Sequence, residues 1–384
     1  MAHKPAVLHR FQFSLTDQDS TSAETTGMVV KADPGGANTP TYGGEEYVDN
    51  VEVGNDTFAP VGAPEELTKT WSKTISQPAA DNAFLAHQLF YASHGGAAST
   101  EWTLDTLLSA QWWLGGMGVS AHTPKSFTME DLGDPDNSDD AKNELVHNVV
   151  VGTFTMGSGV NSPVSATSQL IGGGLTASLG GAPTGRQSYR NNVFTHKHVK
   201  IVTSDTTGLG SLANFKTIWD NGLSDANATS YTGLTGTPSN WTDLIDSWEL
   251  QIVTAYDLVN SMTLSLGYCP SSGYWRVQDQ SATLRLTLKD GASEVGTLRT
   301  EYQNKTARPF EVKMIYPTAL VAGSYSAVAC NFPKMYPVAN SWQPANAGRG
   351  AKSVSVTYRA HNDGTQDWRM GAYFGSGLST TLGG

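Results

Sequence analysis

Short stretches in which apolar and polar residues alternate recur along the whole chain, with turn residues between them. In such a stretch successive side chains point to opposite faces of a strand, so that one face can be buried and the other exposed. The stretches return about every 10 to 20 residues, which is typical of antiparallel sheets packed as a sandwich or a barrel. The sequence therefore predicts a mainly β fold. The clearest stretches are residues 8–15, 65–76, 146–156, 247–254, 282–288 and 353–358.

Helices are few in this prediction. The best candidate spans residues 81–93, where Asp81 can cap the first turn and apolar residues follow at helical spacing. Gly95 and Gly96 are expected to end this helix. A second short helix is predicted at residues 211–221. One or two helices among so many strands argue against a parallel α/β sheet.

The length of the chain is compatible with two domains. It has 384 residues, of which only 15% are charged and 40 are glycine. Each half carries a strand, a short helix and then several strands, which indicates a loose internal repeat. We therefore predict tandem β-sandwich or barrel domains at residues 1–205 and 206–384, with the boundary between residues 200 and 245.

The chain is acidic, with a formal net charge of −11 at pH 7. Proteins that grip nucleic acid usually do so through a basic surface, so this charge argues against that class. No apolar run approaches the ~20 residues of a membrane helix, and the first ten residues lack a signal-peptide pattern. The sequence predicts a soluble protein, made in a cytoplasm, with no membrane partner.

Motifs for catalysis and cofactor binding are absent or broken. Residues 208–213 (GLGSLA) have the glycines of a dinucleotide-binding turn, but no acidic residue ends a second strand about 20 residues later. Residues 348–353 (GRGAKS) lack the upstream glycine of a phosphate loop. Neither G-x-S-x-G nor H-E-x-x-H occurs. We therefore predict no catalytic residue, no cofactor and no enzymatic activity.

A metal site is not predicted either. His196 and His198 would lie on one face of a strand predicted at residues 193–203, as two metal ligands could. No third ligand is near them in the sequence. The two cysteines, Cys269 and Cys330, are too few for a disulfide framework or a four-ligand zinc site.

Carbohydrate chemistry stays an alternative. The spacing of two catalytic carboxylates is a spatial quantity that a sequence does not give. Candidates such as Glu130 and Glu301 are expected at strand ends, where solvated carboxylates are common. The chain also has 10 tryptophans, which could form a sugar-binding platform, although they are scattered along it.

Three of the tryptophans are candidates for contacts between subunits. Trp71 and Trp248 lie within predicted strands and are expected in the core. Trp112, Trp113 and Trp342 lie near glycine or proline, and we predict that they reach a partner subunit.

The order of these features resembles the tail tube (major tail) proteins of long-tailed bacteriophages. An early alternating strand is followed by an extended loop at residues 33–64, and the predicted helix at 81–93 follows a Trp-containing strand. The motifs that carry the resemblance are TWSKTI (70–75), KSFTME (125–130), NVVVGTFTM (148–156), SWELQIV (247–253), VNSMTLSL (259–266), RLTLKD (285–290), FPKMYP (332–337) and KSVSVTYRA (352–360).

The resemblance implies an architecture and a set of partners. Proteins of this family form sheet-lined rings that stack into a hollow tube for DNA ejection. Their shared domain has about half this length, so this chain looks like two fused domains, and three chains would close a ring with pseudo-sixfold symmetry. Six one-domain chains with insertions are the alternative. Its expected partners are copies of itself, a tape-measure protein and passing DNA, and its expected location is the virion tail.

Physical arguments agree with that role. A ring can pair the sheet edges that are hazards in a free monomer, and an acidic surface repels the phosphates of passing DNA. A different virion or surface-layer β-structure, or a carbohydrate-binding sandwich, remains open as an alternative function.

Overall fold

A computed structural model gives the three-dimensional structure of the chain. The residues that it describes are 10–14, 29–32, 41–47, 50–52, 58–60, 65–80, 83–94, 100–105, 108–115, 125–132, 143–177, 192–208, 232–259, 274–289, 293–321, 324–345, 353–361 and 370–375.

The described residues are mainly β, as the alternating stretches predict. The strands before residue 205 are β1 (Arg10–Phe13), β2 (Val29–Ala32), β3 (Thr41–Tyr47), β4 (Asn50–Glu52), β5 (Phe58–Pro60), β6 (Glu65–Pro78), β7 (Thr100–Asp105), β8 (Leu108–Gly115), β9 (Phe127–Leu132), β10 (Asn143–Gly159), β11 (Ser165–Ala177) and β12 (Val199–Ser204). Those after it are β13 (Pro238–Asn240), β14 (Ile245–Val259), β15 (Tyr274–Lys289), β16 (Arg308–Val321), β17 (Ser324–Pro337), β18 (Gln343–Ala345), β19 (Ser353–Ala360) and β20 (Met370–Gly375). The helices are α1 (Ala83–Ser93) and α2 (Ser293–Asn304).

Nearly all of these strands belong to one antiparallel sheet. Its central part runs β6–β11–β10–β14–β15–β19, and it continues through β17 and β16 to β12. Two isolated bridges, Ala80 to Val193 and Pro163 to Thr195, set the segment before β12 beside the ends of β6 and β11. The path of pairings thus returns to its start, and the sheet closes into a barrel. Only β4 and β5 form a separate pair among the described strands.

Helix α1 is packed in the interior of this structure. Every described side chain from Phe84 to His94 is buried, and the helix contacts strands β2, β8, β10, β14 and β20. A helix covered on all sides needs apolar residues all round, which its sequence AFLAHQLFYAS supplies. The predicted helix at residues 81–93 is therefore confirmed over Ala83–Ser93. It ends at Ser93 as predicted, and the next residue, His94, adopts the left-handed conformation (φ 49°) that is typical of a glycine. The predicted cap Asp81 and the glycines Gly95 and Gly96 lie outside the described residues.

Helix α2 was not predicted from the sequence. It has a glycine and two threonines, and its apolar residues form only a narrow stripe at Val295, Leu298 and Tyr302. Of its described side chains only Leu298 is fully buried. The second predicted helix, at residues 211–221, lies outside the described residues.

Two further stretches differ from their predictions. The segment at residues 33–64 was expected to be an extended loop, with a long loop or hairpin at residues 47–61; it contains strand β3, which pairs with β6, and β4 and β5 pair as an antiparallel hairpin. The strand predicted at residues 193–203 is interrupted by a 3₁₀ turn at His196–His198, and only Val199–Ser204 forms a strand.

The order of elements repeats along the chain. In the first half, the long strand β6 leads into α1 and then into the hairpin β7–β8, and in the second half β15 leads into α2 and the hairpin β16–β17. Both helices end on a non-glycine residue with positive φ, His94 and Lys305. Strands of the two predicted domains pair at β10–β14, β12–β16 and β8–β20, and the boundary between them stays a prediction.

Candidate functional surface

The outer side of the six-stranded part β6–β11–β10–β14–β15–β19 is a continuous surface rich in hydroxyl groups. Because side chains alternate along each strand, every second residue points away from the core. The outward residues of these strands are half-buried or exposed except Ser355, whereas their neighbours are buried. We call this surface the hydroxyl face, and its described polar members are Ser72, Thr74, Ser76, Thr153, Thr155, Ser165, Thr167, Gln169, Ser247, Glu249, Gln251, Asp279, Ser281, Thr283, Arg285, Thr287, Lys289, Ser353, Ser355, Thr357 and Arg359.

The register of the strands aligns these side chains in rows. One row crosses all six strands in the order Ser76, Thr167, Thr155, Gln251, Thr283 and Arg359. Five inter-strand spacings of about 4.8 Å make the surface about 24 Å wide. Neighbouring hydroxyls bond to each other, as at Ser76 Oγ and Thr167 Oγ1 (2.9 Å) and at Thr287 Oγ1 and Ser355 Oγ (3.0 Å). The hydroxyl face is therefore an ordered polar layer rather than a scatter of serines and threonines.

Charges are few on the hydroxyl face, and each has a partner nearby. Glu249 and Arg285 lie directly opposite each other on β14 and β15, where Cβ atoms are within about 5 Å. Arg359 Nη2 lies 3.6 Å from Asp279 Oδ2. Lys289, at the end of β15, donates from Nζ to the Asp243 backbone carbonyl at 2.8 Å. Although the chain carries 35 acidic residues, only Glu249 and Asp279 are acidic among the described outward side chains of the face, against the basic Arg285, Lys289 and Arg359. The face is consequently close to neutral.

A shallow groove of about 550 Å³ runs over the hydroxyl face between β10, β14 and β15. Gly157 and Gly159 leave it open, since neither has a side chain. A Cβ on Gly157 would come within 2.5 Å of the Trp248 carbonyl oxygen, so this position cannot accept a larger residue without a shift of the backbone. The groove is lined by Thr155, Ser165, Glu249, Arg285 and Thr287, among others.

On the other side of the barrel, strand β16 carries a buried ion pair. Glu311 and Lys313 are both fully buried, and Lys313 Nζ lies 2.6 Å from Glu311 Oε1. The second carboxylate oxygen accepts a hydrogen bond of 2.6 Å from the Gly233 backbone N–H. Asn331, the cross-strand neighbour of Glu311, is also fully buried. Burial, together with the Glu311 carboxylate, raises the pKa of the nearby Cys330 thiol to about 12, so this thiol is inert at neutral pH.

The interior helix holds a neutral histidine. His87 Nε2 donates a hydrogen bond of 2.8 Å to the Ser14 carbonyl, and Gln88 Nε2 donates to His87 Nδ1 at 3.1 Å. The rings of Phe13, Tyr91 and Phe127 surround the imidazole at centroid distances of 5.4, 4.5 and 4.6 Å. Burial lowers the pKa of His87 to about 3, and the bond to Ser14 offsets only part of that shift.

The tryptophans predicted as subunit contacts lie at two separate places. Trp112 and Trp113 are in β8, opposite Tyr373 and Ala372 of β20, and their side chains lie outside the described residues. Trp342 is half-buried and packs against Tyr302 of α2, with ring centroids 5.8 Å apart. The prediction that these three residues contact a partner subunit stays a prediction. The other tryptophans with described side chains, Trp71, Trp241 and Trp248, are buried, and so the core placement of Trp71 and Trp248 is confirmed.

The histidines and acids considered for chemistry are not brought together. His196 and His198 lie on the 3₁₀ turn, so their predicted place on one strand face is wrong; His196 Nδ1 contacts Ser158 Oγ at 3.0 Å, and His198 Nδ1 accepts from the Thr195 backbone. Within the described ranges no group of three or more potential ligands could hold a metal ion.

Neither glutamate considered for glycoside hydrolysis occupies a strand end. Glu130 is inside β9. Glu301 is in α2, where its carboxylate accepts hydrogen bonds from the Arg308 guanidinium, so its predicted position at a strand end is wrong.

The hydroxyl face was not predicted from the sequence, and none of the residues of this face was named as a candidate site. Its signal was present, because serine or threonine occupies alternate positions in TKTWSKTIS, SATS and SATLRLTL. The alternation of polar and apolar residues predicts a polar and an apolar face for each strand. It does not predict that the polar faces of six strands join into one surface.

Comparisons with protein-family models and with curated proteins find no match for this chain. None of the described helices is long and apolar enough to cross a membrane.

Proposed function

We propose that this chain is the tail tube subunit of a long-tailed bacteriophage, a structural virion protein that stacks as rings into a hollow conduit for DNA ejection. The observation that carries the proposal is the hydroxyl face, which is broad, continuous, nearly neutral and borne by a single curved sheet. In the proposed tube this face lines the lumen.

The chemistry of the face suits a conduit for DNA. Non-specific affinity for DNA comes mainly from lysine and arginine on phosphates, and each such contact adds salt-dependent binding. The basic groups on the face are few, and Arg285 lies opposite the acidic Glu249. Hydroxyl and amide groups stay hydrated and offer no fixed charge to hold a phosphate. DNA can therefore slide past such a wall. The acidic net charge of the chain predicts that DNA is repelled, whereas on this face the lack of a strong net charge would keep DNA from adhering.

The sheet edges and the repeated order of elements support a ring. Strands β3 and β18 each have one edge without a partner among the described strands, which is a hazard in an isolated chain. Pairing with a neighbouring copy would remove such edges. Because the order strand, helix, hairpin occurs twice per chain, three chains supply six similar units, and we propose a trimeric ring with pseudo-sixfold symmetry. A tape-measure protein and DNA would occupy the lumen in turn.

The test is electron microscopy of the purified full-length protein over a range of concentrations, with mass photometry alongside. The proposal expects hollow tubes or stacked rings, and rings with three times the chain mass of 40.9 kDa. A particle of one chain mass at every concentration, with no tube in any condition, would contradict the proposal.

A further inference from the structure

Helix α2 and the chain after β17 enclose an apolar groove of about 560 Å³. It is lined by Val295, Gly296, Arg299, Tyr302, Trp342 and Val354, among others, and we call it the α2 groove. Tyr302 and Trp342 form its aromatic wall. Gly296 opens it further, because a Cβ at this position would meet no atom within 4 Å. An aromatic wall beside an open helix surface is the kind of pocket that anchors a protein partner.

The two helices of the repeated unit differ in how they are covered. In α1 all described side chains from residue 84 to 94 are buried, and strands of both halves of the chain contact it. In α2 the residues Gly296, Thr297, Arg299 and Thr300 are exposed, although α2 follows a long strand and precedes a hairpin as α1 does. Helix α1 is therefore covered by other parts of the same chain, whereas one side of α2 is left exposed.

We propose that the α2 groove receives a second copy of this chain, the next subunit in the ring. This inference rests on the proposed function, and it names the contact that would hold neighbouring subunits together. The repeated order of elements is the reason for choosing a second copy as the partner. Strands of the same chain cover α1, and a second copy would cover the corresponding helix α2 in the same way. Two basic groups border the groove, since Arg299 lies in its lining and Lys305 Nζ lies 4.4 Å from the Tyr302 ring centre, so we expect the contacting segment of the copy to carry acidic side chains.

The test fills the groove without disturbing the subunit. In Gly296→Trp the new indole has room in the single chain but occupies the space of the incoming partner. The matched control is Thr297→Trp, which adds the same ring at an exposed neighbouring position outside the groove lining. Gly296→Ala is a second control that adds only a methyl group. Assembly is followed by sedimentation velocity and electron microscopy, and folding by circular dichroism.

We expect Gly296→Trp to stay folded and to need at least about tenfold more protein for assembly, a shift of about 1.4 kcal/mol. Thr297→Trp and Gly296→Ala should assemble like the wild type. If the wild type assembles and Gly296→Trp does so equally well, the groove is not the contact, while the proposed function stands. If the wild type forms no assembly at all, both the proposed function and this inference are overturned.

Discussion

Glu311 and Lys313 point to the same side of strand β16 and form an ion pair of 2.6 Å in which both side chains are fully buried. Two residues apart on a strand, they reach each other along one face. Their charges have left water completely, so each is stabilised mainly by the other and by nearby polar groups such as the Gly233 N–H.

Removing one partner of this pair should destabilise the fold strongly. We expect Glu311→Gln to lower the free energy of unfolding by about 3–5 kcal/mol, because Lys313 then keeps a buried charge without its counter-ion. The double variant Glu311→Leu/Lys313→Met should lose much less, since no buried charge remains. Denaturant unfolding of the three proteins measures both effects, and a double variant less stable than Glu311→Gln would contradict this account.

The stability of the protein should fall in acid because of His87. The pKa of this histidine is about 3 in the folded chain and near 6.5 when it is unfolded, so between these pH values the unfolded state binds a proton that the folded state excludes. The stability that neutral His87 contributes is present above pH 6.5 and is lost as the pH falls to about 3, up to about 5 kcal/mol in all.

The variant His87→Gln isolates this effect, because its side chain does not titrate. Its free energy of unfolding should depend less steeply on pH between 6.5 and 3 than that of the wild type. Equal slopes for the wild type and His87→Gln would show that His87 is not the group responsible.

Arg308 ties α2 to the sheet through a planar guanidinium. It donates to both oxygens of Glu301, to Thr203 Oγ1 at 3.3 Å, and lies 4.8 Å from the Trp241 ring centre. A lysine cannot make these contacts together, so Arg308→Lys should cost about 1–2 kcal/mol of stability in thermal or denaturant unfolding. Arg359→Lys, at the exposed pair with Asp279, should change stability by less than about 0.5 kcal/mol. Similar losses in both variants would argue against a special role of Arg308.

Thr155 lies near the middle of the hydroxyl face and should face the lumen of the tube. In a Cys269→Ser background, Thr155→Cys offers one accessible thiol, because Cys330 is buried. We expect N-ethylmaleimide to label assembled tubes, and a bulky polyethylene-glycol maleimide to label them at least about tenfold more slowly than dissociated subunits, since the wall excludes it. Equal labelling of tubes and subunits by the bulky reagent would place Thr155 on the outside.

The sequence predicts the fold class well because alternation is a local property. Residues such as Thr167 and Leu170 show their outward and inward positions within a few neighbours. The apolar helix α1 was predicted for the same reason. Helix α2 was missed because Gly296 and its threonines have low helix propensity, and its formation depends on packing of Leu298 and on the Arg308 contact with Glu301.

The candidate surface needed information that no local pattern contains. Thr155 and Thr283 are far apart in the sequence, and only the register through Gln251 brings them into one row. From the sequence alone, Glu311 and Lys313 would be expected on an exposed strand face. Both are buried because segments distant in the sequence cover the two sides of β16. Both the polar row on the hydroxyl face and the burial of the ion pair therefore depend on contacts between residues that are distant in the sequence.

Cryo-electron microscopy of the assembled protein, at a resolution that shows side chains, tests the central claim most directly. The account predicts a hollow tube in which the row from Ser76 to Arg359 borders the lumen. A tube whose hydroxyl face points outward or is buried between subunits would contradict the account, as would the finding that the protein forms no tube.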